Sequence, residues 1–279
     1  MKKIEDYQKQ KSYLVCVDSD GCAMDTMDIK HITCFGPCMV EEWNLEKWRD
    51  DILNRWNEMN LYTITRGINR FKGLAKMLRE VHERFVPIEE IEVLERWVEE
   101  SDELSNEALQ KTIISEENII LKRALAWSKH VNIKIGEIPD SEKKPFEGVK
   151  EGLAYAHQYA DVVIVSSANL QAVLEEWEMY GLLEHVDLVL AQDTGSKAYC
   201  IAELLKKGYD KNKALMIGDA LGDLEAAKKN EVCYYPILVR HEKDSWDEFQ
   251  EIALKKLIDG SYKGEYQEKK EASFYDNLS

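Results

Sequence analysis

Two carboxylates at the end of an apolar run are the residues best suited to chemistry in this chain. The run Leu14-Val15-Cys16-Val17 leads directly into Asp18-Ser19-Asp20-Gly21. A short continuous apolar run is typical of a buried strand in a parallel sheet, and ligands bind at the carboxyl ends of such strands. Asp18 and Asp20 would repel each other unless they hold a divalent cation or divide the roles of nucleophile and proton donor. From this motif alone, an acidic turn that caps a helix remains the alternative.

Polar side chains also follow three later apolar runs. Ser166 follows the run 161–165, Lys197 begins a predicted helix after the run 186–190, and Asp219 and Asp223 follow the run 214–217. The carboxyl ends of parallel strands meet at one edge of a sheet, so we expect these groups to converge. Several carboxylates can hold Mg²⁺, while Lys197 and Ser166 can hold anionic oxygens. Together they predict phosphoryl transfer, in which positioning and charge neutralisation supply most of the rate.

The elements that would position these groups alternate between strand and helix, except in one long stretch. Apolar runs and helical patterns alternate from residue 145 onward, which predicts an α/β fold with a Rossmann-like, doubly wound parallel sheet. The last strand is either 232–235 or 237–239. Residues 27–144 show helical periodicity throughout, as at Trp43, Trp48, Leu53 and Trp56. We therefore expect a discontinuous core of 1–26 and 145–279 and an all-helical cap domain of 27–144. The tail after about residue 262 has no assignable pattern, although Phe274 and Tyr275 could anchor it.

Composition narrows the classes of partner. The chain has 279 residues and a net charge of -16, which argues against nucleic acid or an anionic membrane as a partner. No apolar run approaches the ~20 residues of a membrane span, and the first residues show no signal-peptide pattern, so a cytoplasmic location is expected. A reducing compartment would keep the six cysteines as thiols. His31, Cys34 and Cys38 lie close enough in sequence to suggest a soft-metal site, but packing explains them better.

The motifs, in this order, resemble those of the haloacid dehalogenase-like hydrolase superfamily, in the subgroup with a helical cap inserted after the first motif. Asp18-Ser19-Asp20-Gly21 with Asp25-Thr26 is similar to the family's first motif, and the strand ending in Ser166 is similar to the second. Lys197 lies where the third-motif lysine is expected, and Gly218-Asp219-x-x-x-Asp223 is similar to the fourth. The resemblance covers roughly 13–26 and 145–240, and covers the cap only by its position.

The resemblance implies a role for each of these residues. Asp18 would attack phosphorus and form an aspartyl-phosphate, and Asp20 would protonate the leaving alcohol and then activate water. Mg²⁺ would be held by the Asp18 carboxylate, the Asp20 backbone carbonyl and Asp219. Asp223 would be a direct or water-mediated ligand, or would orient Lys197. Ser166 would bind a phosphoryl oxygen, and Lys197 would offset the charge on Asp18 and on the transferred group.

Three functions remain open at this stage. The favoured one is a magnesium-dependent phosphatase that acts on a small phosphorylated metabolite. A phosphomutase or inorganic pyrophosphatase on the same scaffold is the second, and a non-catalytic regulatory protein that binds metal or phosphate is the third. The presence of Asp20 argues against a dehalogenase, because haloacid dehalogenases lack this acid. Lys197 is followed by Ala198 rather than by the proline common in the family.

Substrate contacts are expected next to the second motif and in the cap, which would close over the site. Ser167 is the neighbouring alternative to Ser166, and Asn169 would reach the substrate or only cap the next helix. Arg66 and Arg70 are four residues apart and would present two guanidinium groups from one helix end to a second phosphate or carboxylate. The alternative is that both pair with surface carboxylates of Asp50, Asp51 or Glu58. The sequence predicts neither the substrate nor the oligomeric state.

Overall fold

The computed structural model describes residues 3–279 and divides the chain into two compact units. Among the described residues, one unit comprises 3–27 and Asp140–Ser279, and the other comprises Asp28–Pro139. Each unit has an apolar core of its own. Each unit is therefore a domain with its own hydrophobic core.

A parallel sheet lies at the centre of the first unit. The strands, in chain order, are β1 Tyr13–Val17, β2 Met24–Asp25, β3 Lys144–Pro145, β4 Ala160–Val165, β5 Leu188–Leu190, β6 Ala214–Gly218 and β7 Cys233–Pro236. Five of them form the main sheet in the order β5-β4-β1-β6-β7, and every neighbouring pair is parallel. Every residue of β4 is buried, as expected for a strand covered by helices on both faces. The predicted α/β fold with a doubly wound parallel sheet is confirmed.

The strand order creates a crevice beside β1. The chain passes from β1 to β4 and β5 on one side, and then crosses to β6 and β7 on the other. Ligands in open α/β sheets bind outside the carboxyl ends of strands where the order reverses in this way. Val17 pairs with Ile217, so the carboxyl ends of β1 and β6 lie level with each other. The residues that follow these two strands are therefore neighbours.

Helices make up most of the rest of the chain. Helices α1 to α14 are Met27–Lys30, Gly36–Glu42, Arg49–Leu61, Arg70–Arg84, Ile91–Glu100, Asn106–Ser115, Ile119–Gly136, Val149–Tyr159, Leu170–Met179, Lys197–Leu205, Leu221–Lys229, Glu242–Glu248, Leu254–Asp259 and Glu265–Asn277. Within residues 28–139, all of which are described, no strand occurs. Among the helices of residues 3–279, none combines the length and the apolar character needed to cross a bilayer.

The core of the helical unit is rich in aromatic side chains. Trp56, Phe71 and Trp127 are each at most 1% exposed, and the rings of both Trp56 and Phe71 meet Trp127 edge-on. Edge-to-face pairs of this kind add ~0.5–1.5 kcal/mol beyond the burial of their area. Trp43 also belongs to this core and Trp48 packs against it, so the tryptophans of residues 43–56 contribute to packing inside this unit.

Two stretches have more structure than their sequences indicate. Residues 140–144, a polar stretch between Pro139 and Pro145, contain a short 3-10 turn, and β3 pairs antiparallel with β2. The unassigned tail contains α14, whose Phe274 packs edge-on against Tyr234. Only Lys270 and Phe274 of α14 are buried, so too few apolar positions face the core to produce a helical period.

The six cysteines are free thiols, all of them buried. Burial raises the pKa of Cys38, Cys200 and Cys233 to about 11 and raises the pKa of the other three thiols as well. Since the thiolate is the reactive form, the thiols stay protonated and unreactive at pH 8. We expect Ellman's reagent to label none of them in the native protein and all six after denaturation. Rapid native labelling would contradict this packing.

Candidate active site

The turn after β1 holds the first two carboxylates. Asp18 is 6% exposed, and its backbone N–H donates to the Ile217 carbonyl at 3.0 Å. Its Oδ1 accepts a hydrogen bond from the Ser19 N–H at 2.8 Å. Gly21 has a φ of 79°, a left-handed conformation that favours glycine and turns the chain away from the strand. Asp18 is thus fixed at the carboxyl end of the central strand.

Asp20 lies on the more accessible side of this turn. It is partly exposed, and its Oδ1 accepts a hydrogen bond from the Thr26 hydroxyl at 2.6 Å. Thr26 itself is fully buried. A fixed threonine therefore orients a carboxyl group that keeps access to solvent. Sequence reasoning gave Thr26 no role, although it stood in the motif as part of the Asp25-Thr26 pair.

The turn after β6 supplies two further carboxylates. Asp219 and Asp223 are at most 1% exposed. Asp223 lies in the first turn of α11, where its Oδ2 accepts from the Ala220 N–H at 3.1 Å. An acidic side chain is favourable at a helix N-terminus, because it meets unsatisfied N–H groups and the positive end of the helix dipole.

Lys197 joins the two turns. It is the first residue of α10, and its Nζ lies 2.7 Å from Asp18 Oδ2 and 2.5 Å from Asp223 Oδ1. A cation at a helix N-terminus is unfavourable on its own, because the helix dipole opposes it. Two buried carboxylates offset that cost. The structure therefore brings together Asp18 from the turn after β1, Lys197 from the start of α10 and Asp223 from the first turn of α11.

The electrostatics of this group reflect both burial and charge. Burial raises the pKa of Asp18 to about 6, with Lys197 opposing the shift and Asp219 adding to it. Burial likewise raises the pKa of Asp223 to about 6, again against the effect of Lys197. Burial opposes the charge of Lys197, but the two carboxylates outweigh it and raise its pKa above the ordinary value. Lys197 is therefore a cation at any neutral pH.

The carboxylates fit a hard divalent cation. Asp18, Asp219 and Asp223 each offer one oxygen, and these three oxygens lie within 4.8 Å of one another. Mg²⁺ prefers oxygen ligands, and this arrangement is compatible with one shared ion. It is the only group of three or more such side chains found in residues 3–279, so His31, Cys34 and Cys38 do not form a second one.

Ser166, Ser167 and Asn169 follow β4. Ser166 is buried, its N–H donates to the Leu190 carbonyl at 2.9 Å, and its Oγ accepts from the Ala168 N–H at 3.1 Å. Ser167 is exposed. The Asn169 side chain caps α9 by accepting from the N–H groups of Gln171 and Ala172, at 3.0 Å and 3.3 Å. Helix capping, the alternative foreseen for Asn169, is thus present.

Arg66 and Arg70 lie in the helical unit and do not share a helix end as predicted. Arg66 is in the turn before α4, and only 1% of its surface is exposed. Its Nη1 donates to the Leu61 carbonyl at 2.8 Å. Arg70 begins α4, and its Nη1 lies 3.1 Å from Ser128 Oγ and 2.7 Å from Asn132 Oδ1. Burial lowers the pKa of Arg70 to about 10. The glycine between the two arginines lets the chain turn before the helix begins, which separates them.

Comparison with known proteins assigns the family. A family model described as haloacid dehalogenase-like hydrolase matches residues 88–235, which is more than half of the chain. The chain belongs to the haloacid dehalogenase-like hydrolases. No curated protein matches it. Asp18 and Asp20 lie outside the matched residues.

Solved structures with a related fold share little sequence with this hydrolase. One is a predicted phosphatase from Clostridium acetobutylicum, with a TM-score of 0.46 and 13% identity over 81% of this chain and 85% of that chain. A haloacid dehalogenase-like family hydrolase from Streptococcus pneumoniae has a TM-score of 0.43 and 12% identity, over 85% and 90% of the two chains. CbbY from Rhodobacter sphaeroides, solved in complex with phosphate, has a TM-score of 0.42 and 14% identity, over 81% and 87%.

Gly218 is a further position on which the site of this hydrolase depends. A Cβ at residue 218 would overlap the Asp223 carboxyl group, whereas a Cβ at Gly222 would meet nothing within 4 Å. We expect Gly218→Ala to displace Asp223 from Lys197 and to lower turnover by about tenfold or more, because small misplacements at a reacting centre are costly. Gly222→Ala, four residues away in α11, is the matched control and should keep full turnover.

Steady-state kinetics and thermal unfolding of the two variants provide the measurement. Gly222→Ala should unfold at the same or a higher temperature, since alanine replaces glycine in a helix. Equal turnover in the two variants would show that the close approach of residue 218 to Asp223 is unimportant.

Proposed function

We propose that this hydrolase is a magnesium-dependent phosphatase that cleaves a small phosphorylated metabolite through an aspartyl-phosphate on Asp18. One observation carries the proposal. The Asp18 carboxylate is fixed at the carboxyl end of the central strand, 2.7 Å from a lysine cation and beside two further buried carboxylates. That arrangement can bind the oxygens of a phosphoryl group and neutralise their charge while a carboxylate attacks.

In the first half of the reaction, Asp18 is the nucleophile. One carboxylate oxygen forms a bond to phosphorus as the bond from phosphorus to the substrate alcohol oxygen breaks. Asp20 donates its proton to that leaving oxygen, so the alcohol departs neutral and Asp20 becomes a carboxylate. The Thr26 hydroxyl, 2.6 Å from Asp20 Oδ1, orients the acid for this transfer.

In the second half, Asp20 acts as the base. It takes a proton from water as the water oxygen bonds to phosphorus and the bond from phosphorus to Asp18 breaks. Inorganic phosphate leaves, Asp18 is again a carboxylate, and Asp20 is again protonated. Lys197 offsets negative charge in both halves, and Ser166 is the proposed donor to a phosphoryl oxygen.

Asp18, Asp219, the Asp20 carbonyl and, directly or through water, Asp223 are the proposed magnesium ligands. When bound, Mg²⁺ neutralises phosphoryl charge and favours the ionised form of Asp18. Three buried carboxylates lie close together while Lys197 pairs with only two of them, Asp18 and Asp223, and this supports the assignment because buried charges are normally paired or coordinate metals.

A panel of small phosphorylated metabolites, together with pyrophosphate, tests the proposal. Phosphate release should require Mg²⁺, should stop on addition of EDTA, and should return when Mg²⁺ is restored. A phosphatase releases inorganic phosphate from at least one phosphomonoester without a bisphosphate activator. Activity that is fully retained in EDTA after dialysis, or release from pyrophosphate alone, would contradict the proposed function.

A further inference from the structure

Ser19, between the two proposed catalytic aspartates, organises the turn after β1. Its side chain is fully buried. Its carbonyl accepts hydrogen bonds from the backbone N–H groups of Cys22, Ala23 and Met24, at 3.3 Å, 2.9 Å and 2.8 Å. The Ser19 carbonyl therefore anchors the backbone of residues 22–24, and Ser19 itself lies between Asp18 and Asp20.

A buried tryptophan holds the Ser19 side chain. Trp177 Nε1 donates to Ser19 Oγ at 2.9 Å, and the Trp177 side chain is fully buried on α9. Helix α9 begins at Leu170, four residues after Ser166. The indole thus links the turn that contains Asp18 and Asp20 to the helix that follows Ser166.

Packing alone does not explain why these two buried positions carry polar groups. A buried hydroxyl or indole N–H without a partner costs ~1–3 kcal/mol, whereas two apolar groups of the same shape can replace such a pair with little loss. Apolar residues would fill these two positions equally well. What the hydrogen bond adds is direction, because it fixes the Ser19 rotamer and ties the residue between Asp18 and Asp20 to a buried side chain of α9.

We propose that Trp177 is a positioning residue, and that its bond to Ser19 fixes the relative orientation of the Asp18 and Asp20 carboxyl groups. Trp177 acts through Ser19 and touches no reacting atom. The proposal rests on the proposed phosphatase function for its effect on turnover. Its effect on the turn itself is independent of any activity.

A double-mutant cycle tests the bond. Ser19→Ala removes the acceptor, Trp177→Phe removes the donor, and the double variant removes both. We expect each single variant to lower kcat about tenfold with KM unchanged within about twofold, since each loses one directional bond. The double variant should lose no more kcat than the worse single variant, yet recover part of the free energy of unfolding, because neither polar group is then left unpaired.

The matched control removes a buried hydroxyl elsewhere in the same unit. Tyr235 is 1% exposed, and its hydroxyl donates to the Ser245 carbonyl at 2.7 Å. Tyr235→Phe should lower the free energy of unfolding by an amount similar to Ser19→Ala while keeping kcat. A kcat loss in Tyr235→Phe as large as in Ser19→Ala would overturn the proposal, because general destabilisation would then explain both.

Amide hydrogen exchange gives a readout that needs no substrate or metal. In Ser19→Ala and Trp177→Phe, the amides of Cys22, Ala23 and Met24 should exchange about tenfold faster than in the wild type, while Tyr235→Phe leaves them unchanged. If the wild type hydrolyses no phosphomonoester, the proposed function fails and exchange alone decides this inference. Unchanged exchange in both variants, or additive kcat losses in the cycle, would overturn it.

Discussion

Replacing Asp18 by asparagine is expected to abolish phosphate release, with a loss of at least a thousandfold in kcat, because an amide cannot form the acyl phosphate intermediate. The fold should survive this change. Asp18 and Asp223 share the cation of Lys197, and Asp219 lies beside them, so removing one negative charge relieves repulsion in the metal-free protein. We therefore expect Asp18→Asn to have the same or a higher free energy of unfolding in EDTA.

Asp244→Asn is the matched control for Asp18→Asn. Asp244 belongs to the same unit, and its side chain is 82% exposed. It should keep wild-type kcat, KM and stability. Phosphate release by Asp18→Asn within about tenfold of wild type would exclude this residue as the nucleophile. If the wild type binds phosphate but hydrolyses no substrate, the result would instead favour a binding protein.

Replacing Lys197 by methionine is expected to have the largest effect on stability. Methionine keeps much of the side-chain volume but removes the cation 2.7 Å from Asp18 and 2.5 Å from Asp223. Breaking a buried ion pair in this way typically costs ~3–5 kcal/mol, because a charge is left buried without compensation. In denaturant titrations of the metal-free protein, we expect the free energy of unfolding to fall by that amount. We also expect kcat to fall by ~10²–10³-fold.

Two comparisons make this prediction specific. Lys206, also near α10, pairs with Glu203 on the surface, and its side chain is 68% exposed. Exposed pairs contribute only ~0–1 kcal/mol, so Lys206→Met should remain close to wild type. Saturating Mg²⁺ should restore part of the stability lost in Lys197→Met, because it supplies charge to the same carboxylates. Metal-free Lys197→Met as stable as Lys206→Met would contradict the role of this ion pair.

The sheet and the positions of its polar strand ends were predictable because both follow from short-range patterns. Apolar runs such as 161–165 mark buried parallel strands, and a polar residue at the end of each run lies at the sheet edge where ligands bind. The strand order adds that β1 and β6 are neighbours, which brings the turns of Asp18 and Asp219 side by side. The sequence alone could only predict that several strand ends converge.

Other features depend on long-range contacts that leave no local pattern. Lys197 was identified through a motif, but its 2.5 Å approach to Asp223 depends on how α10 and α11 pack. Trp177 reads as one more apolar position of a helix, and nothing near it in sequence indicates a bond to Ser19 across 158 residues. The separation of Arg66 from Arg70 depends on a turn whose glycine was visible but whose position relative to α4 was not.

Acid-quenched mass spectrometry during turnover tests the aspartyl-phosphate most directly. The wild type is mixed with Mg²⁺ and a substrate from the metabolite panel, quenched in acid within the first turnovers, digested and analysed. We expect one added phosphoryl group on the peptide that contains Asp18, and none in Asp18→Asn. Phosphate release without any phosphorylated peptide, or with the phosphoryl group on a peptide that lacks Asp18, would contradict it.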